Sequence, residues 1–320
     1  MKKTYIVASR GSKLAVVQSE SIIKALSRIY PDIKFELKLI TTEGDKDRRT
    51  ALWDLKSSGF FTSQVEDALV SGKADSTGSP QADLAVHSFK DLPTKMPEQL
   101  IIAAVCKREF PEDCLVAAKA ISSVDELPAS AKIGTSSLRR AVQIKKLRSD
   151  LQPTPIRGNV PTRIRLLKEG KFDAVVLARA GLERLGIGSE ISICFEPEKF
   201  IPAPAQGALV VQTRATDSEL NKLVLGVDDA VSRLEAMAER QILVTTRCGC
   251  HAPVGAFAKI TGESIRICAF ISDAEGVNFI RREIEGPAIG AQGLGEKLAN
   301  QMLDAGGREI LKKLEGCDEK

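Results

Sequence analysis

Residues 5–39, YIVASRGSKLAVVQSESIIKALSRIYPDIKFELKL, predict a strand, a helix and a second strand in succession. The first strand covers Tyr5–Ala8. The helix carries an apolar stripe from Ala15 to Ile29 and ends before Pro31, and apolar alternation from Ile33 to Leu39 predicts the second strand. Two strands joined by a helix form a βαβ unit, so we expect a sheet that is parallel in part.

The α/β pattern continues along the chain. Ser63 and Glu66 form a capping-box pattern at the start of a helix, and Asp83–Val86 predicts a buried strand that ends at His87. A second α/β set follows, with strands at Cys114–Ala118, Lys132–Gly134, near Ile156 and at Phe172–Ala178, and helices at Ser137–Arg148 and Pro161–Glu169.

The last third of the chain has a different pattern. From Val227 we expect a long helix, two strands at Ile265–Ile271 and Val277–Ile284, and a final helix, which together predict a small α+β domain. Pro-rich passages at Lys107–Asp113 and Phe200–Gln206 are typical of chain crossings between domains. The predicted domains are 1–106 with 207–226, then 107–206, then 227–320.

The composition indicates a soluble globular protein. The 320 residues are 43% hydrophobic, 28% charged and 4% aromatic, which excludes fibrous and disordered classes. No apolar run has the length of a membrane span, and no signal peptide is evident, so we expect a cytoplasmic protein without a membrane partner. The net charge is +4, but Ile133 to Glu190 holds 12 Lys and Arg against 5 Asp and Glu. This regional excess favours an anionic partner.

Two strand-to-helix junctions predict anion sites. Gly134-Thr-Ser-Ser-Leu-Arg-Arg140 and Arg157-Gly-Asn-Val-Pro-Thr-Arg163 each combine a helix N-terminus with guanidinium groups. Arginine favours carboxylate or phosphate because its planar fork makes two parallel hydrogen bonds. The alternative is a pair of ordinary helix caps with exposed arginines. Without base-stacking aromatic or zinc-finger patterns, a small polyanion fits better than nucleic acid.

Two further motifs carry reactive side chains. Asp91 follows an apolar strand within Val86-His-Ser-Phe-Lys-Asp-Leu-Pro93, where it could face a cation or exchange protons, or simply be a turn residue. Cys250, near Arg247, could be a covalent anchor or an inert loop thiol. The neighbouring Cys-x-Cys-His pattern is weak evidence for zinc, and we predict no metal site. Seven cysteines without regular spacing do not indicate a disulfide framework.

In their order along the chain, these motifs resemble those of the porphobilinogen deaminase (hydroxymethylbilane synthase) family. The resemblance runs from about Ile6 to Leu314. Its specific motifs are Ser9-Arg-Gly-Ser-Lys-Leu-Ala15, Val86-His-Ser-Phe-Lys-Asp-Leu-Pro93, Gly134-Thr-Ser-Ser-Leu-Arg-Arg140, Arg157-Gly-Asn-Val-Pro-Thr-Arg163, Pro204-Ala-Gln-Gly-Ala208 and Gly249-Cys-His-Ala-Pro-Val-Gly255.

The resemblance implies an α/β fold class: two α/β domains like those of periplasmic binding proteins, joined by a double crossing, and a small C-terminal α+β domain. It implies a transferase of tetrapyrrole (haem) biosynthesis that condenses four porphobilinogen molecules head to tail, with loss of ammonia, and then releases hydroxymethylbilane by hydrolysis. It further implies a dipyrromethane cofactor joined to Cys250 as a thioether, and a monomer. Porphobilinogen carries acetate and propionate arms, which is consistent with the arginines.

The same resemblance assigns residue roles. Asp91 would be catalytic and would stabilise the azafulvene cation. The cofactor-binding residues would be Ser88, Lys90, Asp91, Thr135, Ser137, Arg139, Arg140 and Cys250. The substrate-binding residues would be Arg10, Ser12, Arg157, Gly158, Arg163, Arg184 and Gln206.

The chain departs from the family pattern at several positions. Ser58 stands where a loop lysine is usual, and a short insertion covers Ser76–Asp83. His251 replaces a common glutamine, and Cys248 is an additional thiol that could compete with Cys250 or be oxidised. An alternative hypothesis from another class is a non-catalytic binder of a small polycarboxylate, which would carry no covalent cofactor.

Overall fold

The computed structural model describes residues 2–42, 62–70, 81–248 and 252–314. They divide into two compact units: described residues within 2–109 and 208–233 form the first, and those within 110–207 and 234–314 form the second. The chain passes to the second unit after Glu109 and returns after Gly207. The passage after Glu109 lies within the predicted crossing at Lys107–Asp113. The return after Gly207 lies just beyond the predicted crossing at Phe200–Gln206.

The strands and helices of the described residues are numbered in chain order. The strands are β1 Thr4–Arg10, β2 Lys34–Ile40, β3 Leu84–Ser88, β4 Leu100–Val105, β5 Asp113–Ala117, β6 Lys132–Gly134, β7 Gln152–Thr154, β8 Ala174–Ala178, β9 Ile193–Cys194, β10 Leu209–Arg214, β11 Val254–Thr261, β12 Ser264–Ser272 and β13 Phe279–Pro287. The α-helices are α1 Lys13–Ile29, α2 Ser63–Leu69, α3 Leu138–Leu147, α4 Val160–Lys168, α5 Arg179–Arg184, α6 Ser218–Val224, α7 Ala230–Thr246, α8 Ala291–Met302 and α9 Arg308–Lys312.

The first unit contains a five-stranded sheet with the order β2-β1-β3-β10-β4. β1 pairs in parallel with β2 and β3, whereas β10 is antiparallel to β3 and β4. Ser12 is the N-cap of α1, where its hydroxyl accepts a hydrogen bond from the Ala15 amide, and Ile22 and Leu26 of α1 are buried in the core that the helix forms with the sheet. The predicted βαβ unit is confirmed, and the carboxyl ends of β1 and β3 share one edge of the sheet.

The second unit contains a sheet with the order β7-β6-β8-β5-β9. β6 is parallel to β7 and β8, and β5 is antiparallel to β8 and β9. Ile144 of α3 belongs to the core on one face, and Ile164 of α4 and Leu182 of α5 belong to the core on the other. Side chains alternate along β5 accordingly: Leu115 lies in the first core and Cys114 in the second.

A three-stranded antiparallel sheet, β11-β12-β13, completes the second unit. Ile242 of α7 and Leu298 of α8 are buried in one core with Ile267 of β12. This confirms a small C-terminal α+β fold, and the α/β fold class of the chain is confirmed with it. The strand β11 was not predicted, because its Gly255 and alternate alanines are weak strand formers.

Two local predictions were wrong. The strand expected near Ile156 lies earlier, at Gln152–Thr154. The capping box of α2 is absent from its described residues: the N-cap is Thr62, which makes no capping hydrogen bond, and the Glu66 carboxylate instead accepts a hydrogen bond from Gln212 of β10 at 2.9 Å. A long-range partner thus displaced the local one. No helix among the described residues has the length and apolar character of a membrane span.

A glycine allows α8 to lie close to α7. An added Cβ at Gly295 would collide with the backbone oxygen of Ala238, whereas Gly293 of the same helix has open space around that position. We expect Gly295→Ala to lower the free energy of unfolding by about 2 kcal/mol, because the helices must separate. Gly293→Ala should raise it by about 0.5–1 kcal/mol through helix propensity. Urea unfolding of both variants measures the effects, and a similar change in the two would contradict the close contact.

Candidate functional site

A fully buried carboxylate, Asp113, lies at the first residue of β5. Two arginines from the first turn of α3 bind its two oxygens. Arg139 Nη1 donates to Oδ2 at 2.7 Å, and Arg140 Nη2 donates to Oδ1 at 2.7 Å. Both arginines are buried as well. The direct connection from β6 to α3 brings this turn to the edge of the sheet at which the antiparallel β5 begins.

The charge state of Asp113 follows from these contacts. Burial alone would raise the pKa of Asp113, but the guanidinium groups of Arg139 and Arg140 outweigh it and hold the pKa far below its usual range. The carboxylate is therefore ionised at neutral pH. Gln206 adds a neutral donor, because its Nε2 lies 3.0 Å from Asp113 Oδ1 and also donates to the Pro111 carbonyl at 2.8 Å.

The same turn of α3 holds the returning passage of the chain. Arg139 Nη1 donates to the Ile201 carbonyl at 2.7 Å, and Gln143 binds both the carbonyl and the amide of Ile201, at 3.0 and 2.7 Å. Further along, Arg184 Nη2 donates to the Gly207 carbonyl at 2.7 Å. Arg184, which is predicted to bind substrate, holds the backbone of this passage in the structure.

Two more arginines lie near Arg140. Arg163 Nε donates to the Gly158 carbonyl at 2.8 Å. Burial, together with the charges of Arg140 and Arg157, lowers the pKa of Arg163 to about 10. Arg157 differs from the others: within the described residues its Nε and Nη2 atoms are buried and have no hydrogen-bond partner. We call Asp113, Arg139, Arg140, Arg157 and Arg163 the arginine cluster.

The loops before α3 and α4 complete this region. Thr135 is buried, and its Oγ1 accepts a hydrogen bond from the Ser137 amide at 3.2 Å. Within the described chain, the Ser137 hydroxyl makes no capping bond, whereas Asn159 caps α4 through the Thr162 amide at 3.0 Å. Gly158 has a φ of 97°, and an added Cβ there would lie 2.6 Å from Thr162. Only glycine therefore fits between the cluster and α4.

The predicted residues of the first unit lie at the carboxyl ends of its parallel strands. Arg10 is the last residue of β1 and Ser88 the last of β3. Gln18 of α1 donates to the Ser88 hydroxyl at 2.9 Å. Lys90 and Asp91 follow in a single 3-10 turn, with Lys90 half-buried and Asp91 exposed. Ligands of α/β sheets bind at this end of the strands.

His87 is a structural residue rather than an acid or base. Its Nε2 lies 3.1 Å from the Gln212 amide oxygen, and the Gln212 amide nitrogen donates to Glu66. Burial lowers the pKa of His87 to about 4; the hydrogen bond to Gln212 opposes this shift and the charge of Arg10 adds to it. His87 is therefore neutral at physiological pH and acts here as a hydrogen-bonding partner of Gln212.

Several predicted positions lie outside the described residues. Cys250, His251 and Ser58 are among them, as is most of the Ser76–Asp83 insertion. Cys248 is described: its side chain is 2% exposed and belongs to the core with α7 and α8. Burial of Cys248 among these side chains disfavours its competition with Cys250, which stays a prediction.

Sequence reasoning missed Asp113, the residue around which the cluster is built. The available signal was an acidic residue at the first position of a buried strand, directly after a chain crossing and close to a basic region. The cluster holds four guanidinium groups against one carboxylate, so its excess charge favours an anion with forked oxygens. Among the described residues, no group of His, Cys, Asp or Glu side chains is arranged to hold a metal ion.

We expect Asp113→Asn to lower the free energy of unfolding by about 3–5 kcal/mol at pH 7, because two buried guanidinium groups lose their counter-ion. The exposed Arg165–Glu169 pair is the matched control, and Glu169→Gln should cost less than about 1 kcal/mol.

The contribution of Asp113 is fully present above its unfolded-state pKa of about 3.9 and is lost as the pH falls towards the lower folded-state pKa. Urea unfolding from pH 7 to pH 3 should therefore show that the difference in free energy of unfolding between wild type and Asp113→Asn becomes smaller below about pH 4. A difference that does not change with pH would contradict the assignment.

Family models match most of the chain. The family model for "Porphobilinogen deaminase, dipyromethane cofactor binding domain" matches residues 5–222, and that for "Porphobilinogen deaminase, C-terminal domain" matches residues 233–304. Among solved structures, a substrate-binding domain of a putative amino acid ABC transporter from Streptococcus pneumoniae is 14% identical, with a TM-score of 0.41, and the match covers 70% of this chain and 91% of that one.

Relatives match almost the whole chain. The porphobilinogen deaminase of Roseiflexus sp. is 41% identical over 311 residues, which is 97% of this chain and 99% of the relative. That of Desulforudis audaxviator is 40% identical over 314 residues, which is 98% of this chain and 99% of the relative. The chain therefore belongs to the porphobilinogen deaminase family.

Proposed function

We propose that the arginine cluster is the carboxylate site of this enzyme, that Asp91 is its catalytic carboxylate and that Cys250 carries its cofactor. The family reaction is that of a transferase in tetrapyrrole biosynthesis, which deaminates and polymerises four porphobilinogen molecules and releases hydroxymethylbilane. Membership of a family of enzymes does not favour the alternative of a non-catalytic polycarboxylate binder.

The unpartnered edge of Arg157 carries this proposal. The Nε and Nη2 atoms form one side of the guanidinium plane, and both are buried without a partner in the described chain. Two parallel N–H groups on one edge match the two oxygens of a carboxylate. Leaving buried donors unsatisfied costs about 1–3 kcal/mol, so a ligand carboxylate would relieve a cost already present in the protein.

The charge around Arg157 supports the same ligand. Arg163 lies close enough to Arg140 and Arg157 for their charges to lower its pKa to about 10, although burial has the larger effect. Arg163 remains a cation at neutral pH, so the three guanidinium groups repel one another. An acid-bearing pyrrole would reduce this repulsion, and binding should weaken as salt concentration rises.

The dipyrromethane cofactor fits the same residues, since its rings also bear carboxylates. In the second unit we propose that Thr135, Ser137, Arg139 and Arg140 contact it, and in the first unit Ser88, Lys90 and Asp91. Arg10, Ser12, Arg157, Gly158, Arg163, Arg184 and Gln206 are proposed for substrate. When bound, the cofactor supplies the primer to which pyrrole units are added.

Asp91 has the properties that a catalytic carboxylate needs. It is exposed, it follows the buried strand β3, and Lys90 precedes it in the same turn. A carboxylate at this position can stabilise positive charge on a pyrrole and can accept or return a proton from its nitrogen. The neutral His87 leaves that task to Asp91.

The remaining parts of the proposal concern the whole protein. We propose three domains with the boundaries 1–106 and 207–226, 107–206, and 227–320, and a monomer that acts in the cytoplasm. Seven cysteines without regular spacing do not indicate the disulfide framework of an exported protein, which is consistent with a reducing compartment. Light scattering on purified protein tests the monomer directly, and a dimer mass would overturn it.

We expect the purified enzyme to exceed the mass of its encoded chain by one dipyrromethane, and Cys250→Ser to lack this addition. Cys248→Ser is the matched control, two residues away but with its sulfur in the core, and it should keep the added mass. Intact-mass spectrometry decides the matter. A wild-type mass equal to that of the bare chain after incubation with porphobilinogen would overturn the proposed attachment.

A third variant separates attachment from catalysis. Asp91→Asn should retain the fold and the added mass, while its turnover falls by about 100-fold or more, as for loss of a general acid or base. Near-normal turnover in this variant would remove Asp91 from the mechanism and leave the cofactor assignment intact.

A further inference from the structure

Two cysteines lie opposite each other on neighbouring strands of the second unit. Cys114 of β5 is the direct register partner of Cys194 of β9, and Leu115 is the partner of Ile193. Directly opposed residues of antiparallel strands project from the same face of the sheet. The two thiols therefore lie side by side on one face, and neither belongs to the arginine cluster.

The hydrogen-bond pattern shows which kind of pair this is. The Phe195 amide donates to the Asp113 carbonyl at 3.0 Å, so the adjacent pair Asp113 and Phe195 is a hydrogen-bonded one. Hydrogen-bonded and non-hydrogen-bonded residue pairs alternate along antiparallel strands. Cys114 and Cys194 are therefore a non-hydrogen-bonded pair, for which the Cα separation is about 4.5 Å. Disulfides span Cα separations of about 4.4–6.8 Å, so a cross-link fits this position.

The two thiols differ in access to solvent. Cys194 is exposed on β9, a two-residue strand at the edge of its sheet. Cys114 is fully buried, and its Sγ donates to the Leu177 carbonyl at 3.4 Å. A soluble oxidant can therefore reach Cys194 first.

We propose that Cys114 and Cys194 form a reversible disulfide when a peroxide reaches Cys194. The Cys194 thiol first loses its proton to water, and the thiolate attacks the peroxide: an S–O bond forms, the O–O bond breaks, and the leaving hydroxide takes a proton back from water, which gives a sulfenic acid and water. The Cys114 sulfur then attacks the Cys194 sulfur. The S–S bond forms, the S–O bond breaks, and the leaving hydroxide takes the Cys114 thiol proton and departs as a second water.

The charges around Cys194 set the pace of the first step. Burial is the main factor that raises the pKa of Cys194, Glu112 and Glu183 add to it, and Arg179 opposes it. The thiol form prevails at neutral pH, so oxidation should accelerate as the pH rises and the thiolate fraction grows. This separates the pair from a constitutively reactive thiol.

The cross-link would leave the arginine cluster intact. Asp113 precedes Cys114 but points to the opposite face of β5, towards α3, whereas Cys114 belongs to the core with α4 and α5. The disulfide would instead tie the edge strand to the sheet and restrict the unfolded chain, which raises Tm by on the order of 5 °C.

The test uses the purified full-length enzyme treated with hydrogen peroxide and then with an alkylating agent. We expect an intact mass lower by two hydrogen atoms before alkylation, a non-reduced digest of the alkylated protein in which the peptides of Cys114 and Cys194 are joined, and a higher Tm that dithiothreitol reverses. Cys194→Ser, at an exposed position, should abolish all three changes. Cys268→Ser, at a buried thiol elsewhere, should keep them.

Other products would overturn the proposal. A disulfide-linked dimer through Cys194, or Cys194 sulfinic acid with Cys114 still open to alkylation after unfolding, would show that the two sulfurs do not meet. A control sample of the wild type is unfolded before oxidation. If the linked peptides form as readily in this sample as in the folded protein, the fold does not direct the pairing.

Discussion

The ion pair between Asp113 and the two arginines of α3 is the interaction on which the rest of the second unit depends. Two guanidinium groups in the interior would be costly without a counter-charge, and a lone buried carboxylate would be equally costly. Together they are stable, and they bind the start of β5, the first turn of α3 and, through Gln206, the returning passage. The strand order that brings these three segments to one edge is therefore coupled to the charge pattern of the site.

This arrangement also determines what the cluster can recognise. Asp113 balances only part of the positive charge that Arg139, Arg140, Arg157 and Arg163 bring together. Arg157 keeps a buried edge of two donors without a partner in the described chain. A carboxylate-bearing pyrrole meets both conditions, since it brings negative charge and a planar pair of acceptors.

Local sequence patterns predicted much of the fold, and their failures have a physical cause. Helix and strand periodicity located the first βαβ unit, and Gly170, with a φ of 73°, follows α4 as expected of a helix stop. The strands β4 and β10 were not predicted: the apolar run of β4 does not distinguish a buried strand from a buried helix segment, and β10 joins a sheet begun far earlier in the chain. The capping box at Ser63 failed for a similar reason, since Gln212 offers Glu66 a buried partner.

In the candidate site, too, sequence patterns predicted local features and missed contacts between distant segments. Motifs located the arginines and the helix starts and predicted a role for Asp91, because each of these depends on neighbouring residues. They could not show that Arg139, Arg140 and Gln206 bind Asp113, because that contact joins segments distant in sequence. The resemblance supplied the substrate class. The geometry explains why arginine rather than lysine suits these positions, since the planar fork pairs with the buried Asp113 carboxylate and has the shape that the proposed substrate carboxylates need.

The central claim is that the unpartnered edge of Arg157 receives a substrate carboxylate. Steady-state kinetics of the Arg157→Leu variant with porphobilinogen test it most directly. Arg165→Leu is the control, because the Arg165 side chain is exposed and paired with Glu169. The account predicts a loss of kcat/KM of at least about tenfold in the first variant, as for a lost charge-assisted hydrogen bond, and less than about twofold in the second. Equal values of kcat/KM in wild type and Arg157→Leu would contradict it.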